Sequence, residues 1–261
     1  MPAYARIAEQ LASEIHDGTW QPGAMLPTIP ELEDRFGVSR ITVRGAIDAL
    51  TKQGLVFTGY ANGRRGTIVR AQGRTDHYAT DALKTNRKRS EFDAFSENAH
   101  KAGREPTKRF EMRIELPPRD VAKRLGIDDD ELVVVRVTHQ LLDGEPWSIE
   151  ASYYPRDLAA EVGLDSPRDI PTGTLRALAD AGHREVAHVD EVTDETADDE
   201  TARNLGIAVG SPILVQTRTG ATPERVTRVT RYLRLGRRNR LIWELGRQAG
   251  LDAVHKTRRG D

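Results

Sequence analysis

Residues 36–50 read FGVSRITVRGAIDAL, and in this stretch Arg40, Thr42 and Arg44 alternate with Ile41 and Val43. Such alternation suits a strand, but it also suits the first turn of a helix whose outer face is kept for a partner. The flanking residues favour the helix. Gly37 fits the left-handed position that closes a preceding helix, and Ser39 fits an N-cap whose hydroxyl accepts from the amide of Ile41 or Thr42. Val38 and Val43 stand at the N′ and N4 positions of a hydrophobic staple. Further on, Val43, Ala46, Ile47 and Leu50 form one inward stripe, while Arg40 and Arg44 lie above one another on the other side.

Upstream, Tyr4, Ile7, Ala8, Leu11 and Ile15 make one apolar stripe of a helix that Gly18 closes. Pro22-Gly23 and Pro27 punctuate a loop, and Pro30 suits the first turn of a short helix reaching about Phe36. Its acids Glu31, Glu33 and Asp34 fall early, where the helix dipole favours them. Helix, glycine turn and capped helix together make a helix-turn-helix. Two guanidiniums at the start of its second helix stand where a major-groove reader needs them, because arginine bonds guanine bidentately. A solvated pair of arginines is the plainer alternative. After Gly54, LVFTGYANGRRGTIVRA reads as two short strands, 55–58 and 67–69, around a Gly-rich tip. This is the wing of a winged helix, whose glycines permit close approach to DNA and whose Arg64 and Arg65 can meet phosphates or enter the minor groove.

Charge agrees. From Phe36 to Thr75 seven arginines and lysines face one acid, Asp48, inside a chain of net charge −1, which is the electrostatic footprint of a nucleic-acid contact or of a solvated basic face. The 261 residues are enough for two domains with separate cores. The absence of cysteine excludes disulfides, thiol nucleophiles and thiolate metal sites. No apolar run is long enough to span a bilayer and MPAYARIAEQL lacks signal-peptide features, so a cytoplasmic protein with no membrane partner is expected.

Leu26-Pro27, Gly37-Val38-Ser39-Arg40, Thr42-Val43-Arg44, Ala46, Leu50 and Gly54-Leu55-Val56 together resemble the DNA-binding domain of the GntR family of bacterial transcriptional regulators. The resemblance implies that Ser39, Arg40, Thr42 and Arg44 contact operator DNA, with Arg40 and Arg44 as base readers. It adds Thr28 as a phosphate ligand and Gly63, Arg64, Arg65 and Thr67 as wing contacts. Thr28-Ile29-Pro30 replaces the family's usual Ser-Glu-Arg, and the wing motif is stretched to Gly63-Arg64-Arg65-Gly66-Thr67.

Residues 71–89, AQGRTDHYATDALKTNRKR, lack apolar periodicity and read as a linker whose basic knot Arg87-Lys88-Arg89 is solvated. Beyond it lies an internal repeat. Residues 121–138, VAKRLGIDDDELVVVRVT, match residues 201–219, TARNLGIAVGSPILVQTRT, at an offset of 80. Each unit is a short helix ended near glycine, a turn and a β-rich strand, continued by EPWSIEASYYP and RVTRVTRYL as further strands. Two such halves in one antiparallel sheet give an α+β domain. With FDAFSENAHKAGREP at 92–106 and DGEPWSIE at 143–150, residues 90–235 resemble the UTRA effector domain of the HutC subfamily, whose fold is like that of chorismate lyase. In sugar-phosphate-binding members the equivalents of Arg136 and Glu150 line the ligand pocket, and Thr138 shares the strand face of Arg136. An Arg136–Glu150 ion pair is the structural alternative. Gln216 stands where the repeat has Arg136, and RLGRRNR replaces the usual Arg-Gly-Asp-Arg, which leaves the effector class open.

His183 and His188 lack the converging partners of a metal site, and the acidic run 190–202 reads as a solvated approach to a helix. The three tryptophans suit packing, and within the C-terminal tail 241–261 the stretch LDAVHKTRRGD at 251–261 reads as loose. No phosphate loop or catalytic triad can be assembled, so no catalytic residue, cofactor or metal is expected. The expected organisation is a winged helix at 1–70, a linker at 71–89, an effector and dimerisation domain at 90–240 and a tail. The expected activity is that of a repressor that binds an inverted-repeat operator as a homodimer under small-molecule control. A ligand-independent regulator of a plasmid or mobile element and a lyase-like enzyme are the competing readings.

Overall fold

The first stripe folds as helix α1 (Ala3–His16), which buries Ile7, Ala8, Leu11 and Ile15. In the computed structural model, which describes residues 1–61, 64–70, 74–80, 94–101 and 103–258, two further helices follow, α2 (Ile29–Phe36) and α3 (Arg40–Lys52). Gly37 takes φ 61°, a left-handed cap open to glycine at no cost in strain. Leu11, Leu32, Val43, Ala46 and Leu50 are all 0 % exposed and close the three helices on one another. Each such leucine contributes about 1.5–3 kcal/mol by leaving water.

The wing is longer than its sequence suggests. Strands β1 (Val56–Ala61) and β2 (Arg64–Val69) pair in register from Val56↔Val69 to Ala61↔Arg64. Arg64 and Arg65 therefore belong to a strand rather than to a loose tip. Gly59 and Gly66 face each other in the ladder and serve packing. A Cβ on Gly59 would lie 2.7 Å from the Phe57 ring, and one on Gly66 would lie 2.7 Å from Met25 Sδ. The loop before α2 completes this sheet, since Leu26 donates to Thr67 O at 2.8 Å and Val69 donates to Ala24 O at 2.8 Å.

Part of the expected linker is a strand. β3 (Thr75–Tyr78) pairs in parallel with β10 (Asn239–Ile242), a partner more than 150 residues away that no local pattern announces. The basic knot 87–89 lies outside the described residues. Helix α4 (Ala94–Lys101) leads to strand β4 (Pro106–Glu115).

After β4 the chain forms α5 (Arg119–Leu125), β5 (Val133–Leu142), β6 (Glu145–Pro155), α6 (Arg156–Val162) and α7 (Thr174–Asp180). It continues through β7 (Ala187–Thr196), α8 (Asp199–Leu205), β8 (Pro212–Ala221) and β9 (Val226–Arg234). The sheet order β4-β5-β6-β9-β8-β7 turns the repeat into two β-α-β-β halves that meet at the antiparallel β6–β9 pair. Both repeat helices end on a left-handed glycine, Gly126 at φ 71° and Gly206 at φ 63°.

Two sequence expectations fail in this region. The acidic run starting at Asp190 is mostly the edge strand β7, paired with β8 from Ala187↔Ala221 to Thr196↔Pro212. Only Asp198 onward belongs to a helix start, with Asp198 Oδ1 capping Thr201 N at 2.8 Å. The run reads as strand because β8 supplies its hydrogen bonds and Arg218, Arg124 and Arg231 neutralise Asp190, Glu191 and Glu195. The stretch 251–261, expected loose, is helical as far as Arg258, where it completes α9 (Gln248–Arg258).

One sheet face packs Val133, Val135, Ile149, Val215 and Val229 against Val121 and Leu125 of α5 and Ala202 and Leu205 of α8. On the other, Val134 and Tyr154 pack with Leu158, Leu164 and Leu178. Of the described residues, those within Met1–Gly73, Ala94–Arg109 and His139–Trp147 form one compact unit and the remainder form another. Among them no helix is long and apolar enough to cross a membrane.

Burial lowers the pKa of His77 from 6.5 to about 4, helped by the nearby Arg234 charge, while its Nε2 contact to Asn239 Oδ1 at 2.7 Å opposes the shift. Between pH 6.5 and 4 the unfolded chain therefore binds a proton there that the folded chain does not. Stability falls on acidification through this window by up to about 3 kcal/mol from this group. His77→Gln should remove that component, read as a flatter dependence of the urea midpoint on pH between 6.5 and 4.

Candidate nucleic-acid interface and buried polar face

In α3 the buried stripe Val43, Ala46 and Leu50 turns Arg40, Ile41 and Arg44 outward, where all three are exposed. Ser39 holds the extended N-cap conformation, φ −72° and ψ 156°, and its carbonyl accepts from Val43 N at 3.1 Å. Its hydroxyl does not cap a backbone amide as expected but meets the Thr42 hydroxyl at 3.1 Å. That contact ties the two polar side chains of the first turn to each other, and the Ser39 side chain caps no amide of the helix start. Arg40, Arg44 and Arg65 form no ion pair among the described residues, so their charge is presented to solvent.

Thr28 is used differently from the expectation. Its amide and its hydroxyl both donate to Glu31 Oε2, at 2.6 and 2.7 Å, in a box that starts α2. These hydrogen bonds hold the Glu31 carboxylate below its ordinary pKa, with Arg64 adding to the effect. The Thr28 hydroxyl thus has its proton committed to a carboxylate, and Arg64 of the wing reaches the neighbourhood of the same charge. Arg65 pairs across the hairpin with Tyr60 and Thr67 pairs with Thr58, while Gly63 lies outside the described residues.

Arg136 on β5 is only 3 % exposed. Its Nη1 donates to the carbonyls of Leu164 at 2.7 Å and Ser166 at 3.0 Å, and its Nη2 donates to that of Arg168 at 2.8 Å. The guanidinium also lies 4.3 Å above the Phe110 ring. Burial lowers its pKa, opposed by Tyr154 and Asp169. The fold therefore gives Arg136 the loop after α6 as its partner, rather than Glu150. Thr138, two residues along the same strand, is half-buried, as is Glu150, which pairs in register with Tyr232 on β9.

Strand alternation assembles a buried polar face that sequence reading did not anticipate. Ser152, Thr230, Arg218 and Asp190 line up across β6, β9, β8 and β7, with Glu150, Tyr232 and Gln216 in the next row. Arg218 grips Asp190 through Nε at 2.7 Å and Nη2 at 2.6 Å, and also donates to Ala79 O at 2.9 Å. Burial holds the Arg234 guanidinium down to a pKa of about 10, against the pull of Tyr232 and Glu150. Its Nη1 donates to Gln216 Oε1 at 2.8 Å. Arg228, 2 % exposed, donates from Nε to Glu185 Oε1 at 2.8 Å and from Nη1 to Thr230 Oγ1 at 2.6 Å. The sequence signal was arginine at positions 228 and 234 of β9, an even separation that puts both on one face, and at 218 of β8, in strands that otherwise read as core. Among the described residues no group of three or more histidines and carboxylates converges as a metal would require.

Residues 3–69 match the model of the bacterial regulatory proteins of the gntR family, and residues 101–237 match that of the UTRA domain. The chain is 26 % identical over 231 residues to the HTH-type transcriptional repressor NagR of Bacillus subtilis, covering 84 % of each chain. It is 27 % identical over 239 residues to the HTH-type transcriptional regulator Rv0792c of Mycobacterium tuberculosis, covering 85 % of this chain and 77 % of that one. The crystal structure of PhnF from Mycobacterium smegmatis shares the fold, with a TM-score of 0.57 at 20 % identity over 92 % of this chain and 99 % of that one.

Proposed function

Because this chain belongs to the gntR family of bacterial regulatory proteins and carries a UTRA domain, we propose that it reads an inverted-repeat operator as a homodimer and represses the genes beside it. It is a DNA-binding transcriptional regulator, as its relatives are. The observation that carries the reading is the first turn of α3, where Arg40 and Arg44 stand exposed and without an ion-pair partner among the described residues, on the side away from the core. Helix N-terminal arginines of this kind read guanine edges in the major groove, and Arg64, Arg65 and Thr67 of the hairpin, together with Gly63, supply phosphate contacts. Ser39 and Thr42 complete the helix contact, and Thr28 adds a backbone oxygen contact only if its hydroxyl leaves Glu31. One winged helix buries too little surface for tight specific binding, which favours two copies on two half-sites. NagR, named a repressor, supports the sign of regulation.

In the second domain a small-molecule effector is proposed to bind on the polar sheet face, with Glu150 and Thr138 as contacts and Arg136 shaping the site through the loop at 164–168. Effector binding then favours one spacing of the two winged helices over another. Arg44→Ala should relax base preference and weaken operator binding by about 1–3 kcal/mol, whereas Arg65→Ala should weaken all sequences alike and lower the salt slope by about 1. Fluorescence anisotropy with selected and scrambled duplexes at several salt concentrations separates the two. An Arg44→Ala protein with unchanged base preference would remove α3 from the groove.

A further inference from the structure

Ile41 is 83 % exposed, the most exposed of the large hydrophobic side chains described. It sits in the first turn of α3, on the side opposite the buried Val43, Ala46 and Leu50, directly after Arg40 and three residues before Arg44. A β-branched residue in this place gains nothing for the fold. It buries little area, it lowers helix propensity relative to alanine, and both of its polar neighbours on the turn, Ser39 and Thr42, bond to each other rather than to it. Its surroundings are also the most cationic on the helix, with Arg40 and Arg44 above one another on the adjoining flank and in no ion pair among the described residues, so whatever covers it is an anion-rich partner with an apolar point beside its acceptors. The floor of the DNA major groove has that composition, since the only apolar group displayed there is the 5-methyl of thymine, set among base acceptors and flanked by phosphates.

We infer that Ile41 is a specificity-determining residue, packing its branched side chain against the 5-methyl of one thymine in each operator half-site, next to the guanine read by Arg44. The inference rests on the proposed operator reading and narrows it to a base. An operator is first selected from a random duplex library with the full-length protein. Each thymine of a half-site is then replaced singly by deoxyuridine, which removes the methyl and leaves every hydrogen-bonding group in place. The expected result is one thymine per half-site whose replacement weakens wild-type binding about fourfold, the worth of one buried methyl-sized group. Ile41→Ala should bind the thymine and deoxyuridine duplexes equally while keeping its discrimination at the guanine. Because Ile41 is exposed, the variant should melt with the wild type, so a change in binding is not a change in folding. A wild type indifferent to deoxyuridine at every position, or an Ile41→Ala protein that keeps the fourfold difference, overturns the assignment of Ile41 alone. A wild type that selects no sequence at all overturns the operator reading beneath it.

Discussion

Glu185→Ala destabilises the second unit by about 3–5 kcal/mol, read as a lowered urea midpoint, because it leaves Arg228 buried with its charge uncompensated. Burial disfavours the Arg228 cation, but the Glu185 carboxylate, with Tyr232 and Tyr154 adding to it, outweighs that penalty, so the guanidinium stays charged well above its ordinary range. The carboxylate does several things at once. It accepts from Arg228 Nε at 2.8 Å and Nη2 at 3.3 Å, and from the Thr227 hydroxyl at 2.8 Å. Gly220 makes room for it, since a Cβ there would overlap the carboxylate. Replacing both partners should behave differently. Glu185→Met with Arg228→Met removes the two charges together and should recover most of the loss, as apolar groups of similar volume often replace a buried pair without cost. The exposed pair Arg225–Asp157, at 2.7 Å, provides the contrast. Asp157→Ala should cost under about 1 kcal/mol, the range of surface ion pairs. A double variant as unstable as Glu185→Ala would show that the network itself, not the stranded charge, holds the strands.

Arg136→Ala should cost about 3–5 kcal/mol as well, by a different route. Three carbonyls, those of Leu164, Ser166 and Arg168, lose charge-assisted donors at 2.7 to 3.0 Å, and Phe110 loses the cation stacked on it. Arg136→Lys should rescue little, because a single ammonium cannot reproduce a planar fork aimed at three oxygens. Amide hydrogen exchange across residues 163–170 should accelerate in both variants. If Arg136→Ala instead melts like the wild type and loses only its response to effector, the guanidinium belongs to the ligand and the loop contacts are incidental.

The helix-turn-helix was readable in sequence because its determinants are local. Gly37, Ser39, Val38 and Val43 act within a few residues of one another, and the buried stripe of α3 recurs at helical spacing. The repeat was readable for the same reason, since each helix, left-handed glycine and strand is a contiguous unit. Its outer strands were not. In β7 Val189 and Val192 stand three apart among acids, a spacing that a helix approach shares, and only pairing with β8 settles the matter. The wing was read too short because Gly59 and Gly66 suggested a turn, whereas Met25 and Phe57 occupy the space their side chains would need.

Partners separated by long stretches of chain were beyond sequence. The choice between a ligand and Glu150 for Arg136 omitted the partner the fold supplies, a loop some thirty residues away whose carbonyls become acceptors only when α6 packs on Val134 and Tyr154. By itself the sequence determined the helix-turn-helix and the α+β repeat, because caps, stripes and glycine stops are short-range chemistry. Only the tertiary structure decided which buried cation meets which acceptor, because a guanidinium in a core is matched by whatever the sheet register brings within about 3 Å of it.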